Sequence, residues 1–518
     1  MDLPQERQIN PWLIAVAVMM GTFMEVLDTT VVNVSLPHIA GSVSASVDES
    51  TWVLTSYLVA NGIVLPLTGW LANFFGRKRL LLAAISGFTA ASFLSGLAPN
   101  LSSLIFFRVL QGATGGALQP LSQAILLEIF PPHQRGKAMA FWGLGIVVAP
   151  MLGPVLGGWL TDNYSWRWVF YINIPIGIVA FLMTAAYLSD PPYLKRQSSS
   201  VDYWGIGMLA LGIGALQILL DKGQEADWFA SNWMIALGLL AAVLLVAFVV
   251  YELIIDHPVV DLRVFKMPSY AMGVFLMTLL GFVLYGSMVL IPLMLQTLLG
   301  YPAMQAGLAM LPRGMGAFLM MPVVGILLSR FEARKLLFIG LGVSVFSLVS
   351  FAQLSLDSGY WNIFLPQLTQ GLGIGLMFVP LTTASHDSIS REKMGNATSL
   401  FNLMRNIGGS IGIAFITTIV ARRSQVHMNV LGEHVSIYNH VSLHWLATIR
   451  ETLIARGSDA FTANQQSYAV LLGHLQRQAM MLSFVDTFWI LAAVFACLMP
   501  LVFLMRKPKM RGAALSVH

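Results

Sequence analysis

The stretch at residues 69–83, GWLANFFGRKRLLLA, recurs in outline at residues 325–339 as GILLSRFEARKLLFI, at a constant offset of 256 residues. Each copy carries a basic cluster after an apolar run. Two further anchors follow in the same order at an offset of 259 residues: Gln111-Gly112 matches Gln370-Gly371, and Gly136 matches Gly395. Internal repeats of this length are typical of membrane folds that are built from two related halves around a central site. The repeat therefore predicts two homologous halves.

Long apolar runs surround these anchors along the whole chain. Of the 518 residues, 57% are hydrophobic and only 10% are charged, whereas about a quarter of the residues in a soluble domain are charged. Apolar runs of about 18 residues or more predict membrane-spanning helices. Fourteen such spans are predicted, near 12–36, 51–71, 80–98, 102–127, 138–160, 168–188, 204–220, 233–254, 270–297, 304–328, 335–355, 362–384, 397–420 and 483–505. The predicted fold class is an all-α integral membrane protein with 14 transmembrane helices.

The repeat and the spans together predict three regions. Residues 1–190 and 263–518 form two six-helix halves, and residues 191–262 insert two further helices between them. A polar connection at 421–482 precedes the last span, and its segment HLQRQAMMLSFVDTFW has a helical pattern that extends this span above the membrane. One interpretation of the connection is a solvated cap, since exposed loops tolerate insertions.

The basic residues predict the orientation of the chain. If the N-terminus is cytoplasmic, most Lys and Arg residues fall in cytoplasmic segments, as the positive-inside rule requires. They include the cluster Arg77–Arg79, Lys195, Arg196 and the C-terminal residues 506–511. Both termini are therefore predicted to be cytoplasmic. Because insertion alone explains the net charge of +5, it does not indicate binding of nucleic acid.

A few charged residues lie inside the predicted spans, where each costs roughly 3 kcal/mol or more. Glu25 and Asp28 share one polar stripe of the first span with Asn33. The face of the fourth span that carries Arg108 also carries Gln111 and Gln119. Asp28 and Arg108 are predicted at matching depths, about 12 Å and 9 Å from the outer ends of their helices. The pair has two interpretations, a static salt bridge and a titrating carboxylate that the arginine modulates.

The second half carries arginines but no equivalent acid. Its position equivalent to Arg108 is Gln367, so that any proton chemistry is predicted in the first half. Arg313 and Arg405 lie within spans of the second half. For each of them, a structural role and a role in contacting substrate stay open.

The fifth span carries a ladder of small residues. Gly145, Ala149, Gly153 and Gly157 are spaced by four, beside Pro150, Pro154 and Gly158. Small residues at this spacing let another helix approach closely, and prolines bend a helix. The ladder predicts a tight helix interface, which suits either ordinary packing or a gating element. The chain has one cysteine, Cys497, so no internal disulfide and no metal site are predicted.

Four motifs, taken in order, resemble the major facilitator superfamily, and specifically its fourteen-helix drug:proton antiporters of the EmrB type. LDTTVVNVSLP (27–37) resembles the first-helix motif, GWLANFFGRKR (69–79) the loop motif, LIFFRVLQGATGGALQP (104–120) the helix-four motif, and GLGIVVAPMLGPVLGG (143–158) the antiporter motif. The resemblance implies that Arg108 takes part in proton transfer and that Gly153 and Pro154 form the core of the antiporter motif. In the loop motif it covers Gly69, Gly76 and Arg77, but Asn73 stands where the family usually has aspartate.

The resemblance also implies what the protein does. It implies export of hydrophobic drugs across the bacterial inner membrane, driven by the proton gradient without a cofactor. It further implies docking of the 421–482 connection to a periplasmic adaptor that leads to an outer-membrane channel.

Our hypothesis is alternating access, in which Asp28 binds the coupling proton with Glu25 as its neighbour and alternate. Asn33, Gln111, Gln119, Arg313 and Arg405 are the predicted lining of the substrate cavity. The alternatives are export of one specific metabolite, siderophore or fatty acid and, outside transport, an intramembrane enzyme or a sensor. An enzyme would need a nucleophile with a base, whereas the intramembrane acids have no His or Cys beside them on their helix.

Overall fold

The computed structural model describes residues 10–190, 201–256, 258–436 and 438–504, and these ranges contain helices and turns without a β-strand. Fourteen of the helices are long and apolar enough to cross a membrane, which confirms the predicted fold class. We number them in chain order: α1 Pro11–Ser42, α2 Trp52–Phe75, α3 Arg77–Leu97, α4 Leu101–Ile129, α5 Pro132–Asn163, α6 Trp168–Tyr187, α7 Tyr203–Lys222, α8 Asn232–Ile254, α9 Pro268–Thr297, α10 Met304–Leu327, α11 Ala333–Phe351, α12 Tyr360–His386, α13 Arg391–Glu433 and α14 Ala460–Leu504.

The sequence forms helices here because a bilayer offers no water to satisfy backbone polar groups, so each segment bonds its own N–H and C=O groups. Side chains cap several of the ends. Asn100 begins α4 by accepting a hydrogen bond from the Ser103 N–H at 2.9 Å. α4 is interrupted briefly at Gly116 and Ala117. α5 continues through Pro150 and Pro154 without a break.

Helices from the two ends of the chain pack against each other along two lines, α5 on α10 and α2 on α13. Glycines allow backbone contact on both lines. A Cβ added to Gly69 would lie 2.7 Å from the Asn396 backbone beside Gly395, and one added to Gly325 would lie 3.3 Å from the carbonyl oxygen of Gly136. Each glycine of the first anchor therefore packs beside a glycine of the last anchor from the opposite half: Gly69 lies beside Gly395, and Gly325 lies beside Gly136. We call this region the closed end; it is the predicted cytoplasmic end.

The inserted helices lie on one side of the bundle. α7 packs against both α2 and α13, and α8 packs mainly against α7. Only 17% of the most apolar window of α8 is buried within the protein, so its remaining surface faces outward and suits contact with lipid. The division of the chain at residues 190 and 262 stays a prediction.

The segment 421–482 differs from the predicted polar loop. α13 continues to Glu433, a further helix spans His440–Ala455, and α14 already begins at Ala460. We call His440–Ala455 the outer helix. The predicted helical extension of the last span is confirmed, and it is longer than its pattern indicated. Hydropathy detects only the part of a helix that lies in the bilayer, whereas α13 and α14 continue beyond the apolar part of their sequence. The outer helix ends next to Gly457, which has φ +100°.

The orientation of the chain stays a prediction. Both termini and the basic residues Lys195 and Arg196 lie outside the described residues.

Candidate functional site

A cavity of about 310 Å³ lies in the middle of the bundle. It is lined by α1, α2, α4, α5 and α7 from the first part of the chain and by α9, α10, α12 and α13 from the second. Most of its wall is apolar, with side chains such as Val147, Met288 and Phe378. Its larger polar side chains are Glu25, Asn33, Tyr57, Asn61, Gln119, Gln217, Tyr285, Arg313, Arg405 and Asn406. An apolar cavity with a few polar groups is typical of a binding site for a small hydrophobic molecule.

Glu25 is the acidic residue in the cavity wall. Its side chain is 4% exposed. Its carboxylate accepts hydrogen bonds from the Gln119 amide at 2.5 Å and the Asn61 amide at 3.0 Å, and from the Tyr57 hydroxyl at 3.4 Å. α1, α2 and α4 therefore hold this carboxylate together at the edge of the cavity.

Asp28 lies one turn further along α1 and does not line the cavity. It is fully buried, and its carboxylate accepts hydrogen bonds from Arg108 at 2.5 Å, Asn173 at 2.7 Å and Gln111 at 2.9 Å. Arg108 also donates to the carbonyl oxygen of Val53 at 3.0 Å. The predicted contact between Asp28 and Arg108 is thus confirmed, but Arg108, Gln111 and Asp28 form a buried cluster behind the cavity wall.

Tyr57 separates the two carboxylates. Its hydroxyl faces Glu25, and the Arg108 guanidinium lies 4.2 Å from the centroid of its ring. A cation over an aromatic face is attracted to the ring. Tyr57 therefore contacts both Glu25 and the buried cluster. A change in the charge of Glu25 alters the electrostatic environment of a side chain that also contacts Arg108.

Both arginines of the second half line the cavity, as predicted. Arg405 donates to the side chain of Gln119, the same residue that donates to Glu25. Arg313 donates to the Ser287 hydroxyl at 3.0 Å and to the Leu284 carbonyl oxygen at 3.3 Å. Within the described ranges, neither arginine has a carboxylate at salt-bridge distance.

The small-residue ladder of α5 packs mostly against α1. Cβ atoms added to Gly145, Gly153 and Gly157 would meet Met19, Thr30 and Val31 respectively. Ala149 is fully buried, and Pro154 lies beside Gly307 of α10. Gly158 differs, because no atom beyond its own turn of helix lies within 4 Å of a Cβ added there. The ladder is thus a contact face between α1, α5 and α10 from which Gly158 is absent.

The loop motif forms part of the closed end. Gly76 ends α2 at φ +90°, where the Asp190 carboxylate lies 2.7 Å from an added Cβ. Arg77 is buried and forms an ion pair with Glu128 of α4. Asn73 is half-buried, and its side chain makes no hydrogen bond within the described part of the chain.

Three polar residues of the site, Asn61, Asn173 and Gln217, were not predicted from the sequence. Asn61 and Asn173 lie on helices that carried no charged neighbour to draw attention to them. Gln217, on inserted α7, lines the cavity and pairs with Ser410 of α13 at 2.9 Å. Asn402 of α13 donates to Gln123 of α4 at 2.5 Å. Each of these polar residues stands out within an apolar run, but the sequence does not indicate its partner, because the contacts join helices that are far apart along the chain.

The arrangement can bind a hydrophobic molecule and can hold a proton or an opposite charge at Glu25. Within the part of the chain that the structure describes, no group of three or more His, Cys, Asp or Glu side chains is placed to hold a metal ion. The helices of both contact lines, α5 with α10 and α2 with α13, contribute residues to the cavity wall. A movement of these helices relative to each other would change the access of a ligand to the cavity.

Known proteins identify the family. The model of the Major Facilitator Superfamily matches residues 18–413. The chain is 40% identical to the "Multidrug export protein EmrB" of Haemophilus influenzae, over 96% of each chain. It is 38% identical to the "Fatty acid resistance protein FarB" of Neisseria gonorrhoeae, over 98% of each chain. Its fold is similar to that of the human organic anion transporter MFSD10, with a TM-score of 0.59 and 13% identity over 94% of this chain and 100% of that one. The protein is therefore a multi-pass membrane protein that belongs to the major facilitator superfamily, in its EmrB-type group of transporters.

Proposed function

We propose that this transporter exports hydrophobic drugs from the cytoplasm in exchange for protons. The observation that carries the proposal is the position of Glu25, a buried carboxylate in the wall of a largely apolar cavity. The apolar wall suits a hydrophobic molecule, and the carboxylate supplies a group that can gain or lose a proton where that molecule binds. The similarity to a multidrug export protein along nearly the whole chain supports the same function.

The coupling follows from the location of the acid. A proton on Glu25 removes the negative charge of the cavity, whereas a bound drug occupies the same space. If the two ligands favour opposite conformations, drug export and proton entry become linked. We assign the direct exchange to Glu25, since Asp28 lies behind the wall, and we assign to Asp28 and Arg108 the transmission of the charge change through Tyr57.

The proton gradient is the only energy source that this mechanism needs. A membrane potential of about 150 mV contributes on the order of 3.5 kcal/mol per charge moved, which sustains a drug gradient of a few hundredfold. A monocationic drug exchanged for one proton moves no net charge. It would therefore draw only on the pH difference, at about 1.4 kcal/mol per unit.

The proposal includes the cellular setting. The protein lies in the bacterial inner membrane with both termini in the cytoplasm, in contact with lipid, drug-like molecules and protons. The outer helix and the extended ends of α13 and α14 lie on the periplasmic side, where they dock to an adaptor that leads to an outer-membrane channel. The length of these helices supports this part of the proposal, because they reach well beyond the thickness of a bilayer.

Glu25→Gln tests the function. The purified chain is reconstituted in liposomes, a pH gradient is imposed, and the pH change that a drug elicits is recorded together with drug movement. We expect the variant to lose drug-driven proton movement by about tenfold or more, because the amide cannot titrate, while the drug Kd changes only a few-fold. Glu225→Gln is the matched control, since Glu225 is a half-exposed acid outside the cavity.

Asp28→Asn separates the two acids. We expect it to slow the exchange without abolishing drug binding. If Glu25→Gln and Asp28→Asn both exchange drug for protons at the wild-type rate, neither carboxylate couples transport and the proposal fails.

A second candidate is export of a hydrophobic anion such as a fatty acid. The observation that favours it is the pair of cavity arginines, Arg313 and Arg405, which face a single acid, Glu25. The similarity to a fatty acid resistance protein agrees with it. We expect Arg313→Gln to weaken binding of a long-chain fatty acid more than binding of an uncharged drug of equal size. Equal losses for both ligands would favour the first function.

A further inference from the structure

Two buried carboxylates meet at the end of the inserted helix pair, outside the cavity. Asp202 is the residue before α7, and Glu252 lies in the last turn of α8. Glu252 is 0% exposed and Asp202 is 9% exposed. A Cβ added to Gly205 would meet Glu252 Oε1 at 2.8 Å and would come closer still to Asp202 Oδ2. The two side chains therefore converge on the same small volume beside this glycine.

Each carboxylate has one oxygen with a donor and one without. Asp202 Oδ1 accepts hydrogen bonds from the Gly205 N–H at 2.9 Å and the Tyr251 hydroxyl at 3.1 Å. Glu252 Oε2 accepts one from the Val260 N–H at 3.3 Å. The converging oxygens, Asp202 Oδ2 and Glu252 Oε1, are buried and accept no hydrogen bond from any described residue. A buried carboxylate oxygen without a donor is costly, so the arrangement calls for a positive group between the two oxygens.

The surroundings add more negative charge. The negative charge of Asp261, in the segment that follows α8, disfavours the ionised form of Glu252. The last turn of a helix also disfavours a negative charge, and Glu252 lies there. The nearby cations are engaged elsewhere: Lys393 pairs with Asp261 at 2.9 Å, and the Arg263 guanidinium donates to the Ile255 carbonyl oxygen at 3.0 Å.

The number of oxygens favours a proton over a metal ion. Calcium and magnesium take about six or more oxygen ligands, whereas only two unpartnered carboxylate oxygens converge here, and no larger acidic group occurs in the described ranges. Two carboxyl groups that face each other at close range cannot both stay ionised without a counter-charge. We propose that Asp202 and Glu252 form a proton-binding site of the inserted helix pair, in which one proton is shared between Asp202 Oδ2 and Glu252 Oε1. This site is separate from Glu25, and its existence does not depend on the exchange of drug for protons.

The proton would stabilise the closed end. Glu252 holds Val260, and the next residue, Asp261, exchanges hydrogen bonds with Asn396 at 3.1 and 2.9 Å. Asn396 is the residue whose backbone contacts Gly69 where α2 packs against α13. Release of the proton to water leaves two like charges side by side and weakens the attachment of this segment. Occupancy of the site therefore favours the conformation in which α2 and α13 are in contact.

The pH dependence of stability tests the proposal. The folded chain holds a proton that unfolded carboxylates release at neutral pH, so this contribution to stability is full at low pH and is lost as pH rises through its release. Melting temperatures of the full chain in detergent are measured from about pH 5 to pH 9. We expect Glu252→Gln, which cannot titrate, to flatten the decline and to melt above the wild type at the alkaline end. Glu225→Gln should keep the wild-type profile, because Glu225 is a half-exposed acid in the turn between α7 and α8.

Infrared spectroscopy supplies a readout that does not depend on the stability of a variant. The wild type should show the carbonyl band of a protonated carboxylic acid that fades on raising the pH, and both Glu252→Gln and Asp202→Asn should lack this component. The proposal is overturned if these variants retain the band or if their melting profiles superimpose on that of the wild type. It is also overturned if Mg²⁺ or Na⁺ at constant pH raises the wild-type melting temperature and a chelator or dilution reverses the effect.

Discussion

Gly69→Ala should open the closed end of the bundle. The added Cβ would lie 2.7 Å from both the Cα and the N atom of Asn396 and 2.9 Å from the carbonyl carbon of Gly395. These are backbone atoms of α13, so no side-chain rotation relieves the clash. Because α2 and α13 come from opposite ends of the chain, their separation removes the clash without unfolding either helix.

The magnitude follows from the cost of overpacking. One extra carbon in a closely packed contact costs typically about 1–3 kcal/mol, which corresponds to a change of roughly 5- to 150-fold in the ratio of two conformations. We therefore expect the ratio of the conformation with α2 and α13 in contact to the separated conformation to fall by at least about fivefold.

Gly158→Ala is the matched control. It places the same methyl group within a membrane helix, but no atom beyond its own turn of helix lies within 4 Å of it. Both substitutions gain the helix preference of alanine over glycine, so this effect cancels in the comparison.

The assay measures distances between spin labels at Phe75 and Arg391, which are exposed at the two sides of the closed end, in a Cys497→Ser background. We expect Gly69→Ala to move population to longer distances and Gly158→Ala to reproduce the parent distribution. Identical distributions for the parent and Gly69→Ala would refute the reasoning, and so would an equal shift in both variants.

Three further predictions concern other contacts. Asn73→Asp should raise the ratio of the conformation with the closed end in contact to the open one by up to about tenfold, since a carboxylate beside the basic cluster can accept charge-assisted hydrogen bonds that Asn73 does not make; unchanged or longer distances between the same labels would contradict it. Gln217→Leu should weaken or strengthen binding of individual drugs by about 2- to 12-fold without loss of folding, because α7 contributes this side chain to the cavity and pairs it with Ser410; identical Kd values for a panel of drugs would count against it. Replacement of residues 434–459 by a short Gly/Ser linker should keep transport in liposomes but abolish drug resistance in cells, and full resistance would remove the outer helix from the adaptor interface.

The contrast between the spans and the outer helix shows what hydropathy detects. All fourteen spans were predicted because the thickness of the bilayer fixes the length of apolar sequence that crosses it, and that length is a local property. The helical ends of α13 and α14 outside the bilayer have mixed polarity. The pattern in HLQRQAMMLSFVDTFW predicted part of the extension of α14, but hydropathy did not indicate the extension of α13 or the outer helix, so these helices were predicted as a polar connection.

The two acids of α1 show a second limit. Helical periodicity correctly grouped Glu25, Asp28 and Asn33 on one stripe, and matched depth correctly paired Asp28 with Arg108. Residues three apart differ by only about 60° around a helix. Which of the two faces a cavity depends on the neighbouring helices, and here α4 and α6 enclose Asp28 while Glu25 borders open space.

The sequence alone determined the helical membrane fold, the number of spans, the repeat and the residues whose charge inside a bilayer demands a partner. Each of these depends on composition or spacing along one segment. Only the tertiary structure decided that Glu25 rather than Asp28 lines the cavity, that Gln217 joins the cavity from an inserted helix, and that Asp202 and Glu252 converge beside Gly205. These arrangements depend on the angles and depths at which separate helices pack, and packing is decided by the whole set of side chains in contact rather than by any one segment.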